Sequence, residues 1–353
     1  YRIRFAQPKQ HSGIPAHCMC IKIPLSRSPY ILFCSVVRGE GPHQMIVYRE
    51  APTLARDLGV GLHTLYALSN RLCAHYHTVE LTKPNGGVRR LTVPDEALKG
   101  VQRSIARNLL ACRELSPYAT AYRYGVGTVR NASAHVGKAR LLKMDIYHFF
   151  DSVNYSAVKD AVFPAEVFSE PLRILLTMLC YYQDALPQGA PTSPAVANIL
   201  MRDFDEDVGG WCARRGIAYT RYCDDLTFSG DVGLAGAYRY AEARLREKGF
   251  LVNRRKTLYL DAGRRQCVTG LVVNEKVDVP AEYRRALRQE LYYCKKFGLE
   301  EHLRSVGWEG DPTAYARRLL GRFSYALQVR PEDRALLEGK AWLVEELNKR
   351  AGK

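Results

Sequence analysis

Hydrophobic and polar positions change period several times along the chain, and each change marks an expected element. From Met45, "MIVYREAPTLARDLGVGLHTLYAL" places apolar residues at helical spacing. The stretch "TVELTKPNGGVRRLTVP" predicts a hairpin turning at Asn85-Gly86-Gly87, followed by a helix over "DEALKGVQRSIARNLL". A short strand running into a turn is expected in "RLLKMDIYHFFDSV", and one helix of period 3.6 in "SPAVANILMRDFDEDVGGWCARRG". "IAYTRYCDDLTFSG" predicts a strand pair around two acids. A helix over "AGAYRYAEARLREKG" and strands near "LYLDA" and "QCVTGLVVN" are expected to complete a mixed sheet. Beyond residue 280 the pattern is wholly helical, with Leu287, Leu291 and Cys294 on one face and basic residues on the others. Residues 1–44 sustain neither period and read as an irregular extension, a tail or an over-extended translation.

Composition bounds the function. With 353 residues and 47% hydrophobic content, the chain has material for a sizeable core in two or three subdomains. Its 10 cysteines are scattered without a C-x-x-C pair, and nothing resembles a secretory signal, so a reducing cytoplasm is the expected compartment. Cys18 and Cys20, near His11 and His17, lack the paired halves of a zinc site. No apolar run approaches the roughly 20 residues that span a bilayer, so no membrane partner is expected. Lys and Arg number 52 against 36 acids, a net charge of +16, which favours a polyanionic partner such as nucleic acid. Simple basic enzymes share that balance, so charge alone does not decide.

The acids sharpen the picture. Asp224 and Asp225 stand between Tyr222-Cys223 and Leu226-Thr227-Phe228, strand-favouring residues rather than Gly or Asn turn chemistry. Most adjacent acids are solvated and inert; these are expected on a rigid element. If the strand ending at Asp145 joins the same sheet, three carboxylates converge and raise one another's pKa. Mg²⁺ suits such oxygen ligands, and two such ions about 4 Å apart stabilise the attacking and leaving oxygens of an in-line displacement. The chemistry expected is nucleotidyl transfer.

Tyr222 to Asp225 and Asp145 resemble the Y-x-D-D hairpin and upstream Asp strand of the reverse transcriptases. Supporting motifs follow the family's order over roughly residues 79–275. The resemblance implies an α+β right-hand polymerase with fingers, a ferredoxin-like antiparallel palm and a helical thumb. Residues 45–140 would form N-terminal helices and fingers, 141–275 the palm, interleaved with fingers near 160–200, and 276–353 a basic thumb. In "KPNGGVRRLTVPDEALKGVQ", Lys83 and Arg89 would contact the triphosphate of an incoming dNTP. In "MDIYHFFDSV", Asp145 and the Ile146 carbonyl would hold metal with Asp224 and Asp225, while Phe150 would leave no room for a 2′-hydroxyl. Phe149 is expected in the core and Asp151 as a turn or cap residue. In "LPQGAPTSPAVANILM", Gln188 would contact the nucleotide, with Gly189 and Pro191 shaping the backbone. Lys256 in "KGFLVNRRKT" would reach the leaving pyrophosphate as a proton donor, or is a surface lysine on a basic loop.

"NASAH", Asn131 to His135, and "VTG", Val268, Thr269 and Gly270, are similar to the two signatures of retron reverse transcriptases. That resemblance implies binding of a structured noncoding RNA from the same locus as template and primer. DNA synthesis would begin at a guanosine 2′-hydroxyl, giving branched msDNA and an RNA–DNA hybrid. It also implies a role in phage defence beside an effector protein. Residues 271–353 suffice for a thumb but not for a maturase, endonuclease or RNase H extension, so template removal would need a host enzyme. Asn131, His135 and the VTG residues would contact RNA, and Arg284, Arg288, Lys295 and Lys296 would track phosphates. Two readings stand beside this one: a free-standing abortive-infection or group II intron-derived reverse transcriptase, and a catalytically idle RNA-binding scaffold.

Overall fold

A computed structural model describes residues 47–82 and 86–351. Cys18, Cys20 and the flanking histidines, Lys83 and the Asn85 end of the predicted turn lie outside the described residues.

The N-terminal helices are α1 (Ala51–Leu58), α2 (Leu62–Asn70) and α3 (Leu72–His75). Gly59 ends α1 in the left-handed region, φ 64°, where its N–H meets the last carbonyls. The predicted hairpin forms from β1 (Tyr76–Thr82) and β2 (Val88–Pro94), antiparallel from Tyr76 opposite Pro94 to Thr82 opposite Val88. Asp95 then caps α4 (Glu96–Ile105) by accepting from the Leu98 N–H at 2.9 Å.

The central sheet contains β3 (Arg140–Asp145), β4 (Ala218–Tyr222), β5 (Asp225–Gly230) and β6 (Leu258–Asp261), in the order β4-β5-β3-β6. Every pairing is antiparallel. One further helix, α5 (Thr128–Ser133), precedes β3, and four run between β3 and β4. These are α6 (Tyr155–Val162), α7 (Glu170–Cys180), α8 (Ser193–Leu200) and α9 (Arg202–Ala213). With α10 (Ala235–Glu247) between β5 and β6, the connectivity is the βαββαβ of a ferredoxin-like palm.

Alternation along the strands assigns the two faces. Leu142 and Met144 of β3 and Leu226 and Phe228 of β5 join Phe204, Val208, Ala237, Ala241 and Leu245 in one apolar core beneath α9 and α10. The opposite face carries Lys143 and Asp145 beside Thr227 and Asp225.

Two expectations need correcting. The strands around "QCVTGLVVN" do not join the central sheet: β7 (Cys267–Val268) and β8 (Leu271–Val272) pair with each other, with Thr269-Gly270 as the turn, and Val272 also bridges Asp278. A two-residue loop forces this hairpin, and Val268 and Leu271 bury with Ala132, Leu141, Val273 and Val279 in a small core of their own. The single helix expected from Ser193 is divided at Met201, a turn residue at φ −90°, ψ 0° between α8 and α9, although Met201 N–H still donates to the Ala197 carbonyl and Asp205 N–H to the Met201 carbonyl. Met201 is fully buried, and no Gly or Pro stands at this division.

The C-terminal part is helical as expected: α11 (Ala281–Phe297), α12 (Leu299–Ser305), α13 (Pro312–Val329) and α14 (Arg334–Ala351). Leu287, Leu291 and Cys294 enter its separate core with Leu319, Phe323 and Leu343. Among the described residues no helix is long and apolar enough to cross a membrane.

Candidate active site

Asp145 ends β3 directly opposite Asp225, the first residue of β5, so their side chains share one face at one end of the sheet. Tyr222 of β4 also stands opposite Asp225, which leaves Cys223-Asp224 as a two-residue turn. Cys223 has φ 62° and Asp224 does not, the pattern of a type II′ turn whose first central position usually takes Gly. The Asp224 carbonyl accepts from Ile146 N–H at 3.0 Å, which ties the turn to the end of β3. Three carboxylates thus belong to one rigid corner.

Their electrostatics follow from that placement. Burial, followed by the charge of Asp145, raises the Asp224 carboxyl above its ordinary value. Asp225 is pushed up to about 6, first by burial and then by the charges of Asp224 and Asp145. Lys143, two residues before Asp145 on the same face, works against that shift. Asp145 itself has partners on both oxygens: Asn253 Nδ2 donates to Oδ1 at 3.0 Å and Lys256 Nζ to Oδ2 at 2.7 Å. Asn253 N–H also donates to the Asp145 carbonyl at 2.8 Å.

A divalent cation fits this donor set. Reverse transcriptase domains generally use divalent metal ions, and crowded carboxylates with raised pKa values are the hard oxygen ligands such ions need. Among the described residues no group of three or more His, Cys, Asp and Glu side chains is already arranged to hold a metal ion.

The surrounding residues divide by exposure. Arg89 of β2 donates from Nε and Nη2 to Gln188 Oε1 at 3.1 and 2.6 Å, so the two expected nucleotide contacts meet each other. Gly189 N–H donates to the Thr92 carbonyl at 3.0 Å, and a Cβ at Gly189 would come within 2.8 Å of that carbonyl. Only glycine lets this loop approach the hairpin so closely. Phe149 is buried and Phe150 half-buried, their rings 5.4 Å apart, and the Phe150 carbonyl accepts from Leu186 N–H. Asp151 is exposed and meets His148 at 2.9 Å.

Three of the residues expected to contact RNA are interior: Asn131, His135 and Val268. His135 is fully buried, with Nδ1 2.7 Å from Ser229 Oγ and Nε2 2.8 Å from Thr220 Oγ1. Burial lowers its pKa to about 4, so it bridges β4 and β5 as a neutral ring. Asn131 and Val268 are buried too, and Thr269 is half-buried, leaving Gly270 as the exposed member of the VTG turn. These buried side chains meet other parts of the protein: His135 links β4 and β5, Asn131 joins Thr120 to Thr269, and Val268 packs in the small core of the β7–β8 hairpin. In α11, Arg284 is half-buried 3.7 Å from Asp278, Lys295 lies 6.0 Å from the Trp342 ring centroid, and Arg288 is exposed.

Sequence reasoning passed over Asn253, Lys143, Asp205 and Arg221. Lys143 was legible as the same-face neighbour two positions from Asp145. Asp205 and Arg221 form an ion pair with no exposed side-chain surface, 16 positions apart on the consecutive elements α9 and β4, a spacing that no helical or strand period connects.

Comparison with known proteins fits the geometry. A family model described as reverse transcriptase (RNA-dependent DNA polymerase) matches residues 81–273, more than half of the chain. The retron Mx65 reverse transcriptase of Myxococcus xanthus is 32% identical over 310 residues, covering 81% of this chain and 70% of that protein. The retron Ec86 reverse transcriptase of Escherichia coli is 32% identical over 237 residues, 66% of this chain and 73% of that one. Among solved structures, telomerase from Candida albicans aligns with a TM-score of 0.43 at 12% identity, over 78% of this chain and 61% of the other. The chain belongs to the retron reverse transcriptases, a family of RNA-directed DNA polymerases.

Proposed function

We propose that this RNA-directed DNA polymerase copies a cognate structured noncoding RNA, starts from a guanosine 2′-hydroxyl of that RNA and makes branched msDNA in phage defence beside an effector protein. The observation that carries the catalytic part is the register that sets Asp145 opposite Asp225, with Asp224 in the adjoining turn. Similarity to retron enzymes over most of the chain supports the choice of RNA and product.

In this reading Asp145, Asp224 and Asp225, with the Ile146 carbonyl, hold two Mg²⁺. When bound, the ions supply charge stabilisation at the attacking and leaving oxygens. Lys83 and Arg89 neutralise the triphosphate, and Gln188 orients the nucleotide from a loop that Gly189 seats against β2. Phe150 lies under the sugar and excludes a 2′-hydroxyl. Lys256 exchanges its contact with Asp145 for the leaving pyrophosphate. The exposed basic residues of α11 track phosphates, so binding weakens as salt rises.

The test is sequencing of nucleic acid that co-purifies with the protein, beside incorporation of labelled dNTP on a primed RNA template. Recovery of DNA joined through a 2′ linkage to RNA, lost in Asp225→Asn, is the expected result. An active enzyme yielding only linear DNA points to the abortive-infection or intron-derived lineage. An inactive protein whose cellular phenotype survives Asp225→Asn is an RNA-binding scaffold.

A further inference from the structure

We infer that the buried pair Asp205–Arg221 is the positioning device of the active site: it holds the Cys223–Asp224 turn in its left-handed conformation and so fixes Asp224 and Asp225. The inference rests on the reading of these acids as the catalytic ones.

Alternation along β4 sends Arg221 to the helix-covered face, opposite to the carboxylates. There its Nε and Nη2 donate to Asp205 of α9 at 2.9 and 2.6 Å. Its remaining arm turns upward: Nη1 donates to the Cys223 carbonyl at 3.1 Å. The backbone of Arg221 is equally fixed, its N–H on the Tyr118 carbonyl and its own carbonyl on Thr120 N–H, both at 2.8 Å. Asp205 is held in turn by the Tyr219 hydroxyl at 2.8 Å.

Both side chains are fully buried, which for an ion pair carries a large desolvation cost. Apolar residues of the same volume would fill the space at least as stably, so core packing alone gives no reason for the pair. The Cys223 carbonyl does give one. A non-glycine residue at φ 62° is disfavoured and persists only where its surroundings over-determine it. The fork of Arg221 spans Asp205 and that carbonyl at once, a geometry that a lysine point charge does not reproduce. Tyr122, whose hydroxyl donates to Cys223 Sγ at 3.3 Å, restrains the same residue from the other side.

A glycine at 223 adopts positive φ without strain, which supplies a readout specific to positioning. The test compares the full-length protein with the pair variant Asp205→Asn/Arg221→Met, which leaves no uncompensated buried charge, with and without Cys223→Gly. With primed RNA and dNTP, the pair variant is expected to lose about tenfold in kcat while KM for dNTP stays within about twofold. Adding Cys223→Gly is expected to return about threefold or more of that loss, measured against Cys223→Gly alone in a double-mutant cycle. Wild-type kcat in the pair variant, a loss confined to KM, or no recovery with glycine would each overturn the inference. If the pair variant does not melt cooperatively, Arg221→Lys is judged by the same kcat split and the same glycine rescue. Asp225→Asn runs in parallel: full activity there removes the catalytic reading and the inference with it. Its abolition beside an unaffected pair variant removes only the positioning role.

Discussion

Asn131 and Thr269, separated by 138 positions, meet side chain to side chain: Asn131 Nδ2 donates to Thr269 Oγ1 at 3.4 Å. Asn131 Oδ1 meanwhile accepts from the Thr120 hydroxyl at 2.8 Å, and Thr269 Oγ1 donates to the Thr128 carbonyl at 3.3 Å. The contact explains a backbone oddity. Thr269 and Gly270 have φ 47° and 83°, the two successive positive values of a type I′ hairpin, and a β-branched residue rarely enters that region. The two retron signatures are therefore halves of one interlock. Asn131→Ala is expected to destabilise the fold by about 1–3 kcal/mol, because it removes the hydrogen bonds to Thr120 and Thr269 at a buried position, while the Thr120 hydroxyl keeps the Arg221 carbonyl as acceptor. Thermal melts of Asn131→Ala, Thr269→Val and the double variant should show coupling, with RNA affinity below the melting temperature unchanged. Lost RNA affinity at an unchanged melting temperature would contradict this reading.

His135 makes a second, independent case. Both ring nitrogens are engaged with hydroxyls on adjacent strands, so truncation removes two hydrogen bonds and opens a cavity under the open face of the sheet. His135→Ala is expected to cost about 2–4 kcal/mol. The lowered pKa, about 4, adds a pH signature. A depressed histidine contributes stability that is present above its unfolded value near 6.5 and is lost as pH falls toward 4. Urea melts between pH 7 and 4.5 should therefore show a steeper acid loss in the parent than in His135→Ala.

What the sequence disclosed and what it hid separate along physical lines. Asp145, Asp224 and Asp225 were legible because strand-favouring residues flank them and a sheet of that order brings strand ends together. Leu287, Leu291 and Cys294 were legible because a helix of period 3.6 shows its buried face directly. His135 and Asn131 were expected at a surface but are buried, since polarity in a sequence does not reveal whether the partner is solvent, RNA or a buried hydroxyl. Arg221 and Asp205 stayed invisible for the same reason: a charge reads as exposed until the fold supplies its opposite. The division between α8 and α9 at Met201 had no sequence marker, since neither Gly nor Pro stands there.

Gly189 tests the seat of the nucleotide loop. Its φ lies outside the left-handed region, so the argument is steric: a Cβ would stand 2.7 Å from Val93 Cγ2 and 2.8 Å from the Thr92 carbonyl. The carbonyl is backbone of β2 and cannot swing away as a flexible side chain can. Gly189→Ala should therefore push the loop off the hairpin and separate Gln188 from Arg89. The expected result is a KM for dNTP raised about tenfold with a melting temperature lowered by only a few degrees. A large drop in melting temperature with an unchanged KM would show that the contact serves the fold and not the nucleotide.

Asp225 links stability to function with opposite signs. Its carboxyl is raised to about 6 from an ordinary value of 3.8, so the metal-free fold favours the protonated acid. For a raised carboxyl, the stabilising contribution is complete below the unfolded value, 3.8, and is lost as pH rises through about 6. At pH 7.5 the ionised Asp225 thus costs the metal-free protein roughly 1–3 kcal/mol. Asp225→Asn removes that cost: it should raise the melting temperature of metal-free protein at pH 7.5 by several degrees and leave it nearly unchanged at pH 4. The same substitution should abolish dNTP incorporation. Mg²⁺ should stabilise the parent more at pH 7.5 than at pH 5.5, because its carboxylate ligands must be deprotonated to bind, and this gain should vanish in Asp225→Asn. Calorimetry with and without Mg²⁺ at the two pH values decides the matter. A metal-free variant no more stable than the parent at pH 7.5 would show that Asp225 is not the strained carboxylate that its place beside Asp145 and Asp224 requires.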